Sequence, residues 1–225
     1  MTLEEMTNKV HCADCLEFMK QIPDKSIDLA LTDPPFGIGF MYEEKEKTNT
    51  AKEYGKFIKP YFEEMKRISK KYVAMAQATK YMQYFWDWYG EDIRIYIGCK
   101  NFVSLRKTFM NYAYDPWVFY FHDNIELRTK KKPHRNLDWV KCDTAGLRNT
   151  YNLERKHPTP KPVSMLAEMI ENFTNPNDLI LDPFLGSGTT AVAAQKLGRR
   201  WIGIEISEKY CQIARERLSQ KPLGI

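Results

Sequence analysis

The chain has 225 residues, 43% of them apolar, 28% charged and 13% aromatic, with a net charge of +5. These values exclude a disordered or fibrous chain and fit one large globular domain, long enough for a sheet covered on both faces, with no independent second domain expected. No apolar run approaches about 18 residues and MTLEEMTNKV lacks an apolar leader core, so a cytoplasmic protein without a membrane span is expected.

In chain order, strands and helices alternate, which predicts an α/β fold with a mostly parallel sheet and crossover helices. Val10 to Ala13 reads as a first strand ending at Asp14, and Leu16 to Gln21 as a helix. The turn Pro23-Asp24-Lys25-Ser26 leads into a strand, Ile27 to Thr32, that stops at two prolines. Gly37 to Tyr54 is polar and irregular and is expected to be a loop. Ile58, Tyr61, Phe62, Met65 and Ile68 keep helical spacing, with Pro60 placed in the first turn. Tyr72 to Ala76 is the next strand. Thr79 is expected to cap a helix whose Met82, Phe85, Trp86 and Tyr89 enter the core, with Gly90 ending it. Ile93 to Ile97 and Trp117 to Phe121 read as strands, while Lys100 to Tyr114 is amphipathic without a clear period.

From Phe121 to His157 regular patterning fails, and a connection of this length is expected to be functional or disordered. It carries a basic cluster that includes Lys130, Lys131, Lys132, Arg135 and Arg148, with Trp139 and Tyr151 interleaved. Such a run is either a solvated loop or a phosphate-contacting surface whose aromatics stack on bases. Val163 to Phe173 is a helix opened by Pro162, and a last helix follows Ser207 as its N-cap.

The cysteines Cys12, Cys15, Cys99, Cys142 and Cys211 are an odd, scattered set, read as free thiols. Cys12 and Cys15 have CxxC spacing, but no second pair follows to complete a zinc site, so no metal is expected.

Two stretches carry chemistry. In LILDPFLGSGTT, Leu179 to Thr190, a buried strand runs through Gly186 and Gly188 into a helix. Glycines there permit positive φ and close backbone approach, and the first-turn N–H groups face any ligand. The next strand, WIGIEI, sets Glu205 about 20 residues later, where α/β nucleotide folds offer an acid to ribose hydroxyls. A third glycine in register is absent, which argues against a plain NAD site and leaves other adenosine cofactors open. The second stretch is Asp33-Pro34-Pro35-Phe36, at the carboxyl end of a strand. The prolines stiffen it and remove N–H donors, so it offers carbonyl acceptors beside a carboxylate and an aromatic face, suited to a planar group with an exocyclic NH₂. DPP alone mostly marks a strand-terminating turn.

Together, TDPPF at 32–36, HPTPKP at 157–162, LDPFLGSGTT at 181–190 and GIEIS at 203–207 resemble the DNA amino-methyltransferases, and their order resembles the permuted β class. The resemblance spans residues 10 to 218 and implies a single Rossmann-like class I domain using S-adenosylmethionine. It implies that Asp33, Pro34, Pro35 and Phe36 hold a flipped base for direct in-line attack on the methyl group. It assigns the cofactor to Asp182, Phe184, Gly186, Gly188, Thr189 and Thr190, with Glu205 on the ribose, Asp14 on the adenine and Lys161 closing over the methionine end. Asp at position 33 points to the N6 amino group of adenine; the alternatives are N4 of cytosine or an RNA substrate. Phe36 stands where Tyr is commoner. DNA, double- or single-stranded, is the implied partner, read by residues 37–54 and 123–156; a homodimer and a cognate restriction endonuclease are further partners the resemblance allows.

Overall fold

The computed structural model describes residues 1–35, 51–100, 114–122, 139–142 and 161–220. Among them the elements run α1 (Leu3–Met6), β1 (Lys9–Cys12), α2 (Cys15–Met19), β2 (Ile27–Thr32), α3 (Ala51–Ile68), β3 (Ser69–Ala76) and α4 (Met82–Tyr89). There follow β4 (Ile93–Lys100), β5 (Tyr114–Phe121), β6 (Trp139–Cys142), α5 (Val163–Phe173), β7 (Leu179–Asp182), α6 (Thr189–Lys196), β8 (Arg200–Glu205) and α7 (Glu208–Ser219). The strands form one sheet in the order β1-β8-β7-β2-β3-β5-β4-β6. The first five in that order are mutually parallel, β5 is antiparallel to β3 and β4, and β6 is parallel to β4. The expected mostly parallel α/β sheet is present.

Strand alternation divides the core between two faces. Ala30, Val73, Met75, Leu179 and Leu181 pack with Phe18, Ile58, Phe62, Met65 and Phe85 from α2, α3 and α4. Leu29, Leu31, Ala74, Ala76 and Ile180 pack with Met165, Leu166, Met169 and Ile170 of α5 and with Ala191 and Ala194 of α6. At the start of β2, Lys71 Nζ lies 2.9 Å from Asp28 and 3.0 Å from Asp178, and Asp28 also accepts the Leu179 N–H at 2.9 Å. This cluster joins β2, β3 and β7, fixing which strands are neighbours in the centre of the sheet.

Several expectations are corrected. α3 begins at Ala51, so the polar loop does not extend to Tyr54, which is 1% exposed and part of the core. Pro60 lies inside that helix rather than in its first turn, removing one backbone hydrogen bond there. β3 starts at Ser69, directly after α3. Thr79 opens a 3-10 turn with Ala78 in the cap position, and so is not the cap of α4. Trp86 is 51% exposed because α4 turns Phe85 and Tyr89 inward instead. Residues 139–142, within the stretch expected to lack regular structure, pair as β6 with 97–100 of β4.

Candidate active site

Because β2 and β7 are parallel neighbours, the two chemical stretches leave the sheet at the same edge. They are joined directly. The Thr32 hydroxyl donates to Asp182 Oδ1 at 2.6 Å, and the same oxygen accepts the Phe184 N–H at 3.1 Å. The Thr190 hydroxyl also bonds to Asp182. Burial pushes the Asp182 carboxyl up to about 6; the three hydrogen bonds oppose the rise, and the nearby Asp33 charge adds to it.

After Asp182 the chain makes the glycine turn. Gly186 and Gly188 have φ of 53° and 86°, the left-handed region in which a side chain is strained. Gly188 occupies the N-cap of α6 with no side chain capping that end. The Gly186 N–H donates to Glu205 Oε2 at 2.8 Å and the Ser207 N–H to Glu205 Oε1 at 2.9 Å, so the carboxylate at the tip of β8 faces the turn. Thr189 and Thr190 are buried, and their hydroxyls have protein partners: Thr189 Oγ1 accepts from Arg217 at 3.3 Å, while Thr190 serves Asp182. Arg217 also donates to the carbonyl and hydroxyl of Ser187 at 2.6 and 2.8 Å. The Ala13 N–H bonds the Glu205 carbonyl at 3.0 Å, which brings the exposed Asp14 to the same rim, where it caps α2 by accepting the Glu17 N–H at 3.0 Å. Ile206 is 71% exposed, an apolar side chain beside Glu205. Phe184 is half-buried, its ring 5.2 Å from that of Tyr61.

Across the edge, Lys161 Nζ lies 3.0 Å from Asp33 Oδ2 and 3.9 Å from Asp115 Oδ2. Lys161 thus reaches Asp33. Pro34 is buried and Pro35 half-buried. Tyr54, stacked on Tyr81 at 4.0 Å, donates to Gln77 at 2.8 Å and lies within electrostatic reach of Asp33. Phe36, Lys130, Lys131, Lys132, Arg135 and Arg148 lie outside the described residues, as does Tyr151.

Comparison with known proteins gives this edge a context. The family model for DNA methylases matches residues 27–216. YubD, a candidate methylase of Escherichia coli (strain K12), is 34% identical over 213 residues, covering 92% of this chain and 88% of its own. The type II methyltransferase M.HpaI of Haemophilus parainfluenzae is 27% identical over 241 residues, covering 96% of this chain and 76% of its own. This chain is a DNA methylase of the N6/N4 amino-methyltransferase family. Solved structures share the methylase fold. The PvuII DNA methyltransferase, cytosine-N4-specific, has a TM-score of 0.72 at 18% identity over 96% of this chain and 87% of its own. A candidate DNA modification methylase of Thermus thermophilus, solved with S-adenosyl-L-methionine, has a TM-score of 0.67 at 16% identity over 96% of this chain and 95% of its own.

Of the residues singled out in the sequence, the methylase brings Asp14, Asp33, Pro34, Lys161, Asp182, Phe184, Gly186, Gly188, Thr189, Thr190 and Glu205 to one edge of the sheet. Asp115, Ile206 and Arg217 belong to the same edge and were given no role in the sequence, nor was Thr32, which appears there only as the strand end opening TDPPF. Ile206 carried a signal, an apolar residue placed just past an acid at a strand tip. Arg217 carried none, since it lies on the last helix and meets Ser187 only in the fold.

Proposed function

We propose that this methylase transfers a methyl group from S-adenosylmethionine to the N6 amino group of adenine in DNA. The observation that carries the reading is the Thr32–Asp182 bond, which sets the Asp33 loop and the glycine turn side by side. The residues fit the cofactor: a turn with two left-handed glycines, an uncapped helix N-terminus, the Glu205 carboxylate and the exposed Ile206. In this reading the first turn of α6 receives the methionine carboxylate, Glu205 the ribose hydroxyls, and Ile206 and Asp14 the adenine ring and its amino group. The Gly186 N–H already held by Glu205 fixes the orientation of that carboxylate.

When bound, the cofactor supplies an electrophilic methyl on a sulfonium. Asp33 accepts one hydrogen bond from the base amine and the Asp33-Pro34 stretch a second, which raises the lone-pair character of the nitrogen. Lys161 holds the Asp33 carboxylate in place, with Asp115 behind it. Accepting the methyl group would leave the nitrogen positively charged beside Asp33, whose carboxylate would offset that charge until the surplus proton passed to solvent. No covalent enzyme intermediate is needed, because an in-line transfer calls mainly for alignment. The target base leaves the stack to reach this edge.

Asp at position 33 supports adenine over cytosine through the family resemblance. The experiment is to react a mixture of DNA and RNA with cofactor tritiated in its methyl group, then separate the two and their hydrolysed nucleosides. Label in N6-methyldeoxyadenosine is the expected result; label in N4-methyldeoxycytidine overturns the choice of base, and label only in RNA overturns the choice of substrate. Asp33→Ala lowers the rate by about 10³-fold while cofactor affinity stays within about threefold.

A further inference from the structure

The CxxC pair of the sequence does not act as a pair in the fold. Cys15 is buried in the core and its thiol is pushed well up by that burial. Cys12 instead meets Cys211, far away in sequence. Their Sγ atoms and a carboxylate oxygen of Glu208 all lie within 4.8 Å of one another. The three side chains come from the last residue of β1 and the first and fourth residues of α7, so the cluster bridges β1 and the start of the helix that follows the β8–α7 turn. The Cys211 S–H reaches the Glu205 carbonyl at 3.4 Å and the Cys12 S–H the Ile206 carbonyl at 3.7 Å.

We propose that Cys12, Cys211 and Glu208 form a binding site for a thiophilic divalent cation of the zinc class, and that its occupation braces the turn bearing Glu205. Two sulfurs and one carboxylate are a donor set that hard cations such as Mg²⁺ do not favour and that suits Zn²⁺. Zinc–sulfur bonds of about 2.3 Å in a tetrahedron set the two sulfurs roughly 3.8 Å apart, against separations of no more than 4.8 Å among the three donor atoms here. Each thiol yields its proton to solvent as its bond to the metal forms, and a water completes the coordination. Charge also balances. Two thiolates and one carboxylate are offset by the dication together with Arg215, whose Nη1 lies 2.8 Å from Glu208 Oε1 and orients that carboxylate. Metal bonds would replace two S–H contacts to the Glu205 and Ile206 carbonyls with one link joining β1 to α7.

The site stands independently of the methyl-transfer reading, and its test uses no activity measurement. Reduced, full-length protein is titrated with Cd²⁺, following the ultraviolet thiolate-to-metal charge-transfer band, and then with Zn²⁺ as competitor. One equivalent of Cd²⁺ is expected to generate the band, with Cys12→Ser and Cys211→Ser each abolishing it and Glu208→Gln weakening affinity about tenfold. Cys15→Ser and Cys99→Ser leave it unchanged. Zn²⁺ raises the unfolding temperature of the wild type but not of Cys12→Ser. A band that survives Cys12→Ser, or no band from reduced protein, overturns the site; unchanged affinity in Glu208→Gln overturns the three-donor assignment. Cys12 is exposed, so its replacement gives a readout even if Cys211→Ser fails to fold.

Discussion

Lys161 lies between two carboxylates, 3.0 Å from Asp33 and 3.9 Å from Asp115, and is largely buried there. The family resemblance places this lysine over the methionine end of the cofactor; in the fold its ammonium reaches the acid of the other loop. Lys161→Gln is therefore expected to lower kcat about tenfold to hundredfold with cofactor affinity little changed, and Lys161→Arg to recover part of the loss, as read by steady-state kinetics and cofactor titration. Asp182 gives a different prediction. Its carboxyl is held up near 6 in the fold, against 3.8 as its ordinary value, so the folded state binds the proton more tightly than the unfolded state. That contribution to stability is present below about pH 4 and is lost as pH rises through 6, amounting to about 3 kcal/mol. The amide in Asp182→Asn keeps an acceptor for Thr32 and Phe184 and has no such titration. Urea unfolding from pH 4 to 7 is expected to show the wild type losing stability relative to Asp182→Asn across that window, and parallel curves would refute it.

At the scale of elements, the glycine turn is held from below as well as by its own dihedrals. A Cβ on Gly203 of β8 would lie 2.5 Å from Leu185 Cδ2, and Leu185 is the residue whose N–H bonds the Ile204 carbonyl at 2.9 Å. Gly203→Ala is expected to cost roughly 1–3 kcal/mol and to weaken cofactor binding, with Leu185→Ala in the same chain restoring part of both; calorimetry and denaturant unfolding measure these. Gly203 drew no notice in WIGIEI because its role depends on a side chain that arrives from another loop. The buried strands were legible, since their apolar runs and flanking turn residues are local signals. The amino-terminal end of α3 was not: Lys52, Glu53 and Tyr54 read as the end of a polar loop, and only the fold shows Tyr54 buried and Gly55 set against Trp88, where an added Cβ would lie 3.3 Å from Cζ2. β6 is four residues long, below the length at which a period can be seen.

For the molecule as a whole, two core faces on one sheet keep a rigid edge to which both loops are anchored, and the basic residues Lys130, Lys131 and Lys132 are the candidates for holding DNA against it. Each phosphate contact contributes about 0.9 to the slope of log affinity against log salt, so replacing all three with Ala is expected to flatten that slope by up to about 3. Fluorescence anisotropy on a labelled duplex checks this, and an unchanged slope would mark the segment as a bystander. The motifs of the site were legible one by one in the sequence. Their meeting was not, because strand order is set by contacts such as Asp28 with Lys71 and Leu179, which join residues far apart in the chain.

The bond between Thr32 and Asp182 links positions 150 residues apart. During synthesis the ribosome therefore releases the Asp33 loop long before the strand that completes the centre of the sheet, a delay of roughly 10 to 30 s at ordinary translation rates. A nascent chain in that interval holds the Asp33 stretch, proposed to bind the base, without the glycine turn that stands beside it in the finished fold. A product truncated before Leu179 therefore lacks the strand that carries the other half of the proposed site.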